Sequence, residues 1–204
     1  MLRTTTRRRR TAGFTMIELM TVVAIIAISA AIAAPTLSAA MAQRRANEAV
    51  FSVVRVGAEA RAQAMSYGRA HLLIFQEASG GASGNLGRVE VWRGTVNRCS
   101  ANNWAAIVAG ACETNPDCID VVDMDRWTTM THEVEMRVDG ANAVQLCYQS
   151  NGEMLVATAG VFAPVPPAGT EAVRVRFQRQ RGGAAEGPER AVLFPIGAAP
   201  RRER

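Results

Sequence analysis

Four groups of residues in this 204-residue chain have types and spacings that chemistry could use. The first is a lone carboxylate, Glu18, set in an apolar run that starts just after Gly13. An ionised carboxylate in an apolar medium costs at least roughly 2.5–3.5 kcal/mol unless a cation neutralises it. No cation follows Glu18 until Arg44, so its chemistry is either pairing with a positive group on another chain or snorkelling from near the helix end to a polar surface. The second group is Cys99, Cys112, Cys118 and Cys147, an even set suited to disulfides; a zinc site is the rival, but no C-x-x-C pair supports it. The third is Asp117, Asp120, Asp123 and Asp125, hard oxygen donors of the kind calcium takes. Only Asp123 and Asp125 keep an Asp-x-Asp spacing, without the glycine and distal glutamate of an EF-hand loop, so no metal is assigned. The fourth is His71 and His132; His132-Glu133 lacks the second histidine of a zinc-protease helix, and nothing assembles nucleophile, base and orienting acid. The expectation is a non-enzyme with no cofactor.

These groups need elements to position them. Residues 14–34 carry one charge in 21 positions. As a helix they span roughly 30 Å, the thickness of a bilayer core. Arg3 and Arg7 to Arg10 precede the run, with no acid before Glu18, which places the N-terminus in the cytoplasm by the positive-inside rule. The net charge of +5 is largely this leader's: beyond residue 13 there are 18 basic residues against 18 acidic. Charge by itself therefore does not argue for a nucleic-acid partner. A secretory signal cut after Ala40-Met41-Ala42, or a twin-arginine signal at Arg9-Arg10, are alternatives; both suit a shorter apolar run without a carboxylate.

The run Gly13-Phe14-Thr15-Met16-Ile17-Glu18-Leu19 resembles the type III signal of type IV prepilins and pseudopilins. The resemblance implies that prepilin peptidase cuts between Gly13 and Phe14 and methylates the new Phe14 amine, and that the helix is kept. It also supplies a partner for Glu18. Each processed chain gains an amine at Phe14, and chains stacked with an axial stagger can set Glu18 of one against that amine of the next. Such a head-to-tail contact does not close and builds a helical filament.

Pro35 removes one helical N–H and is expected to kink the helix, as the resemblance to type IV pilins also implies. Beyond it, Ala46, Val50, Val53, Gly57, Ala60, Ala64 and Tyr67 repeat at steps of four and three, an apolar stripe, and Gly68 reads as the stop. After Gly68 the periodicity becomes alternating. Strands are expected at His71–Phe75 and Val89–Trp92, joined by the glycine-rich EASGGASGNLG, which has no Walker lysine. Others are expected around Val134–Val138, Val144–Tyr148 before an Asn151-Gly152 turn, Val173–Phe177 and Val192–Phe194, extending to Ile196. The fold class is α+β: a long N-terminal helix, membrane-spanning then amphipathic, packed on a mainly antiparallel β-sheet domain, the pilin-like fold. The divisions are 1–13 leader, 14–37 membrane and assembly half, 38–68 amphipathic half, and 69–204 periplasmic β-rich domain with a cysteine-bearing insertion at 93–131.

Residues 144–197, through AVQLCYQSNGEML, EAVRVRFQRQ and ERAVLFPIG, resemble the GspH/FimT group of minor pseudopilins and minor pilins. Some members bind DNA through a C-terminal Gly-Arg-x-Arg pattern. Here Ala198-Ala199-Pro200 separates Gly197 from Arg201-Arg202, out of that register; Arg201, Arg202 and Arg204 remain the candidate DNA contacts. Residues 174–204 carry eight arginines against three acids, and residues 113–139 eight acids against two arginines; solvated or mutually neutralising faces are the plain reading of both. Three cysteine pairings are open, and the favoured one joins Cys112 to Cys118 and Cys99 to Cys147 in an oxidising periplasm. The resemblance implies a subunit of a type IV pilus or type II secretion pseudopilus. Its partners would be prepilin peptidase, other pilin or pseudopilin subunits, an inner-membrane assembly platform and the lipid bilayer. An anchored periplasmic binding protein and a DNA-uptake receptor are the alternatives.

Overall fold

The structure is a computed structural model, and it describes residues 14–79, 86–104, 107, 111–128, 132–139, 143–158, 161–164 and 172–203. The expected leader with Gly13, the centre of the glycine-rich loop, parts of the insertion and Arg204 lie outside the described residues. The chain divides into two compact units, residues 1–42 and 43–204.

The helix α1 runs Met16–Tyr67, with Pro35 inside it. Its N-terminus is capped: the Thr15 hydroxyl accepts from the Glu18 N–H at 3.3 Å, satisfying one of the donors a first turn leaves open. Its end is set by Gly68, which takes φ +66°, a left-handed conformation that costs glycine nothing.

The second unit is built on the later half of α1 and eleven strands. Six form one antiparallel sheet in the order β3 (Cys118–Asp123), β2 (Arg88–Arg93), β1 (His71–Gln76), β5 (Ala143–Tyr148), β6 (Met154–Thr158) and β7 (Val161–Ala163). The second sheet runs β11 (Arg201–Arg202), β10 (Arg190–Pro195), β8 (Ala172–Arg181), β4 (Glu133–Val138), with β9 (Ala184–Ala185) pairing on β8. The α+β expectation holds, and the strands form two antiparallel sheets.

One core lies among α1 and both sheets. Ala46, Val50, Val53, Val56, Ala60 and Ala64 of the helix meet Leu73 and Phe75 of β1 and Met136, Val175, Phe177 and Phe194 of the second sheet. The helical stripe is therefore as the sequence predicts except at Tyr67, which is 70% exposed. Gly57 has a packing reason. A Cβ there would lie 2.6 Å from Phe194 Cε1, so the missing side chain is what lets the Phe194 ring reach the helix. That ring also meets Phe75 edge to face, at 5.2 Å between centroids.

The first sheet carries a second core on its other face, where Leu72 and Ile74 pack with Trp92, Cys99, Cys112 and Cys147. This explains why β1 reads HLLIF, continuously apolar and wholly buried from His71 to Phe75, when a one-sided strand would alternate. The insertion is thus a cover for that face. It also supplies β3, which pairs with β2 at the sheet edge, a strand the sequence reading did not place. Strand β10 ends at Pro195; Ile196 falls in the following turn and is partly exposed, so the expected extension of the strand to it is not formed.

Candidate functional site

The site built from the residues upward is the N-terminal segment. Between Met16 and Met41 the large apolar side chains point to every side of α1 and are exposed: Met16 79%, Ile25 64%, Ile32 71% and Leu37 62% among them. A helix apolar all round needs an apolar environment on all sides, and one with a single greasy face does not. The segment is also the one place among the described residues with a helix long and apolar enough to cross a membrane.

Its polar atoms are arranged to the same end. The hydroxyls of Thr21, Ser29, Thr36 and Ser38 each donate to a backbone carbonyl one turn back, those of Glu18, Ile25, Ala33 and Pro35, at 2.8–2.9 Å. In hydrocarbon there is no water to satisfy a hydroxyl, and bonding back to the helix meets that demand locally. This leaves the Glu18 carboxylate as the one side-chain group of residues 16–41 that the segment does not satisfy itself; among the described residues it has no ion-pair partner.

Glu18 stands in the first turn of α1, three residues after Thr15. Thr15-Met16-Ile17-Glu18 is a T-x-x-E sequence, the pattern of a capping box, and the Thr15 half of the box is formed. Sequence reasoning missed Thr15 although this four-residue signal was in plain view. Glu18 is also the acid of the first turn, at the positive end of the helix dipole. Phe14 and Thr15 precede the helix, and Phe14 is 79% exposed.

The other candidates resolve differently. Cys99 pairs with Cys147, and Cys112 with Cys118, at Cα separations of 6.0 and 5.1 Å. The first pair ties the cover of the second core to the C-terminal end of β5, and both its cysteines are fully buried. Of the aspartates, Asp117 faces Arg93 at 3.6 Å, Asp120 faces Arg55 at 3.4 Å, and Asp123 faces Arg88 at 3.7 Å while accepting from the Asp125 N–H. Arginines, not a shared centre, take up these carboxylates, and no three metal-ligating side chains cluster among the described residues.

The two charged stretches meet each other. Arg176 pairs with Asp139 at 2.5 Å, across the gap between basic and acidic segments, and Arg174 and Arg179 are held by Glu203 and Glu186 within the basic one. Arg201 and Arg202 form the short edge strand β11, exposed and without ion pairs among the described residues.

The histidines are structural in setting. His71 is fully buried; its Nδ1 lies 3.0 Å from the Arg69 carbonyl, and burial, with the Arg93 charge nearby, pushes its pKa below the ordinary histidine value. His132 sits 3.2 Å from the Glu186 carboxylate. Buried Glu90 of β2 accepts from the Trp92 indole N–H at 3.1 Å and faces Arg88 Nε at 3.0 Å, a buried acid satisfied within its own strand.

No curated protein and no solved structure matches the chain. One family model does: the prokaryotic N-terminal methylation motif, the type IV prepilin-like signal, matches residues 8–34, and so covers the end of the leader with Gly13, then Phe14, Glu18 and most of the apolar half of α1.

Proposed function

We propose that this chain is a minor pilin or pseudopilin subunit of the GspH/FimT type, serving a type IV pilus or a type II secretion pseudopilus. Prepilin peptidase removes residues 1–13 and methylates Phe14, and the retained helix first anchors the chain in the inner membrane and then joins it to other pilin-like subunits on an assembly platform. The domain from residue 43 onward lies in the periplasm. The role is mechanical and recognitive, without catalysis. A separate cytoplasmic ATPase drives assembly.

The observation that carries this reading is the self-satisfied apolar segment with one unsatisfied acid. Twelve large apolar side chains between Met16 and Met41 are exposed. Placing each in an apolar environment is worth roughly 1.5–3 kcal/mol, so their sum far exceeds the ~3 kcal/mol that one carboxylate costs. Anchoring therefore wins with Glu18 in place, and Glu18 is left to specify a partner. A processed neighbour offers the matching charge at Phe14, four residues before Glu18 in the chain.

The test separates processing from assembly. Glu18→Val leaves the cut site intact and adds an apolar side chain, so the variant is expected to be processed and membrane-bound but to fail to incorporate into filaments with other pilin-like chains. Incorporation at the wild-type level would refute the pairing. A chain that crosslinks to no pilin-like partner at all would favour the anchored binding protein.

A further inference from the structure

We propose that the second unit carries an oxyanion-binding pocket of the phosphate class, formed where β8, β10 and β11 approach Gln43 of α1, with Arg190 and Arg202 as its donors. The pocket holds about 560 Å³ and is lined by Gln43, Arg174, Glu189, Arg190, Arg202 and Glu203. That volume suits one small anionic group with part of its carrier.

The register of the second sheet places three guanidinium groups on one face. Arg190 follows the alternation of Val192 and Phe194, Arg179 that of Val175 and Phe177, and Arg202 stands directly opposite Val192. Arg179 has a carboxylate, Glu186, at 3.2 Å. The two acids in the pocket wall are already engaged: Glu203 holds Arg174 through two contacts of 2.6 and 2.7 Å, and Glu189 faces Arg176 at 3.6 Å. Arg190 is left near two other cations, Arg202 and Arg179, with no acceptor among the described residues. It is only 6% exposed, and its Nε is buried with no hydrogen-bond partner.

A buried charge without a partner is among the costliest arrangements in a folded chain, and natural structures pair such groups. Burial, and then the Arg202 and Arg179 charges, lower the Arg190 pKa, which remains far above neutrality in any ordinary setting for arginine. Arginine cannot escape the cost by losing its proton, and an anion bound in the pocket would offset it. The flat fork of two guanidinium groups favours a bidentate oxyanion, and phosphate oxygens match it best.

Two sources share this chemistry: free phosphate and a lipid headgroup. Gln43 follows in sequence directly on the apolar segment, so on the membrane-anchored reading a headgroup phosphate is available at that level; only this second source rests on that reading.

The experiment uses the full chain in a maltoside detergent at low ionic strength, with inorganic phosphate as the first probe and dihexanoyl phosphatidylglycerol as the second. Calorimetry is expected to show saturable binding of one equivalent of phosphate, with a rise in the unfolding midpoint. Arg190→Met should weaken it by tenfold or more, as loss of a charge-assisted pair implies, and Arg202→Gln by several-fold. In phosphate-free buffer Arg190→Met should be at least as stable as the parent, because it removes an unpaired buried charge. Competition between the two probes assigns the headgroup, and binding of phosphate alone assigns the free ion; either supports the site. Absence of saturable binding to both probes, or affinity unchanged in Arg190→Met and Arg202→Gln, overturns it, whatever the fate of the filament reading.

Discussion

Gly57→Ala is the most exacting test of how the helix is seated on the sheets. The new Cβ would stand 2.6 Å from Phe194 Cε1 and 3.1 Å from Pro200 Cγ, where ordinary contact begins near 3.4 Å, so the ring must retreat by about 0.8 Å. Phe194 is fully buried and wedged edge-on against Phe75, and has no free direction in which to move. Overpacking of this kind costs ~1–3 kcal/mol. Against it, replacing a mid-helix glycine by alanine gains ~0.5–1 kcal/mol. At the middle of both ranges the clash wins, for a net loss of ~1 kcal/mol. In a unit of this size that lowers the thermal midpoint by roughly 2–4 °C. Circular dichroism of the full chain in detergent, at one fixed scan rate, reads the shift. Adding Phe194→Leu opens the space the methyl needs, so the double variant should lose less than the sum of the two single losses. A midpoint for Gly57→Ala equal to or above the parent's would show that the helix does not sit against Phe194 as described.

The two disulfides should differ in worth. Cys99–Cys147 closes a separation of 48 residues and Cys112–Cys118 one of 6, so loop entropy assigns them about 4 and about 2 kcal/mol. Urea midpoints of the paired alanine variants should fall in that order, and the reverse order would refute the assignment of the first as the main staple. His71 gives a pH dependence. Its folded pKa lies below the unfolded value near 6.5, so the unfolded chain takes up a proton first as pH falls. Stability from this group is full above about pH 6.5 and declines below it until the folded pKa is passed. Urea midpoints at pH 7.5 and 5 should show the loss, and His71→Asn should flatten it; an equal pH slope in the variant would place the titration elsewhere.

How much of this was legible in the sequence follows from the range of the interactions involved. The helix, its stop at Gly68 and six strands marked by apolar alternation or, at β1, by a continuous apolar run are local patterns, and they appear where the sequence places them. What escaped was set by tertiary context. Strand β3, CIDVVD, mixes acids with apolar residues and pairs only because β2 offers an edge; β11 is two arginines whose strand character comes entirely from β10. No periodicity marks the insertion, yet part of it is the lid of a second core, visible only once β1 is seen to be buried on both faces. At the N-terminal segment the meaning of Glu18 was accessible from composition, since a single acid in an apolar run is conspicuous. Thr15 was equally readable and was overlooked. Arg190 could not have been found from sequence: nothing in PERAVLF distinguishes a buried, unpaired arginine from the solvated ones around it.

The central claim is that the chain is cut before Phe14 and keeps its apolar helix, with Glu18 waiting for the amine so created. Mass spectrometry of the mature N-terminal peptide from native membranes tests it most directly. The predicted product begins at Phe14 and is one methyl group heavier than the bare sequence. A mature chain that begins at Gln43, after Ala40-Met41-Ala42, or one that still carries Met1 to Gly13, would contradict it.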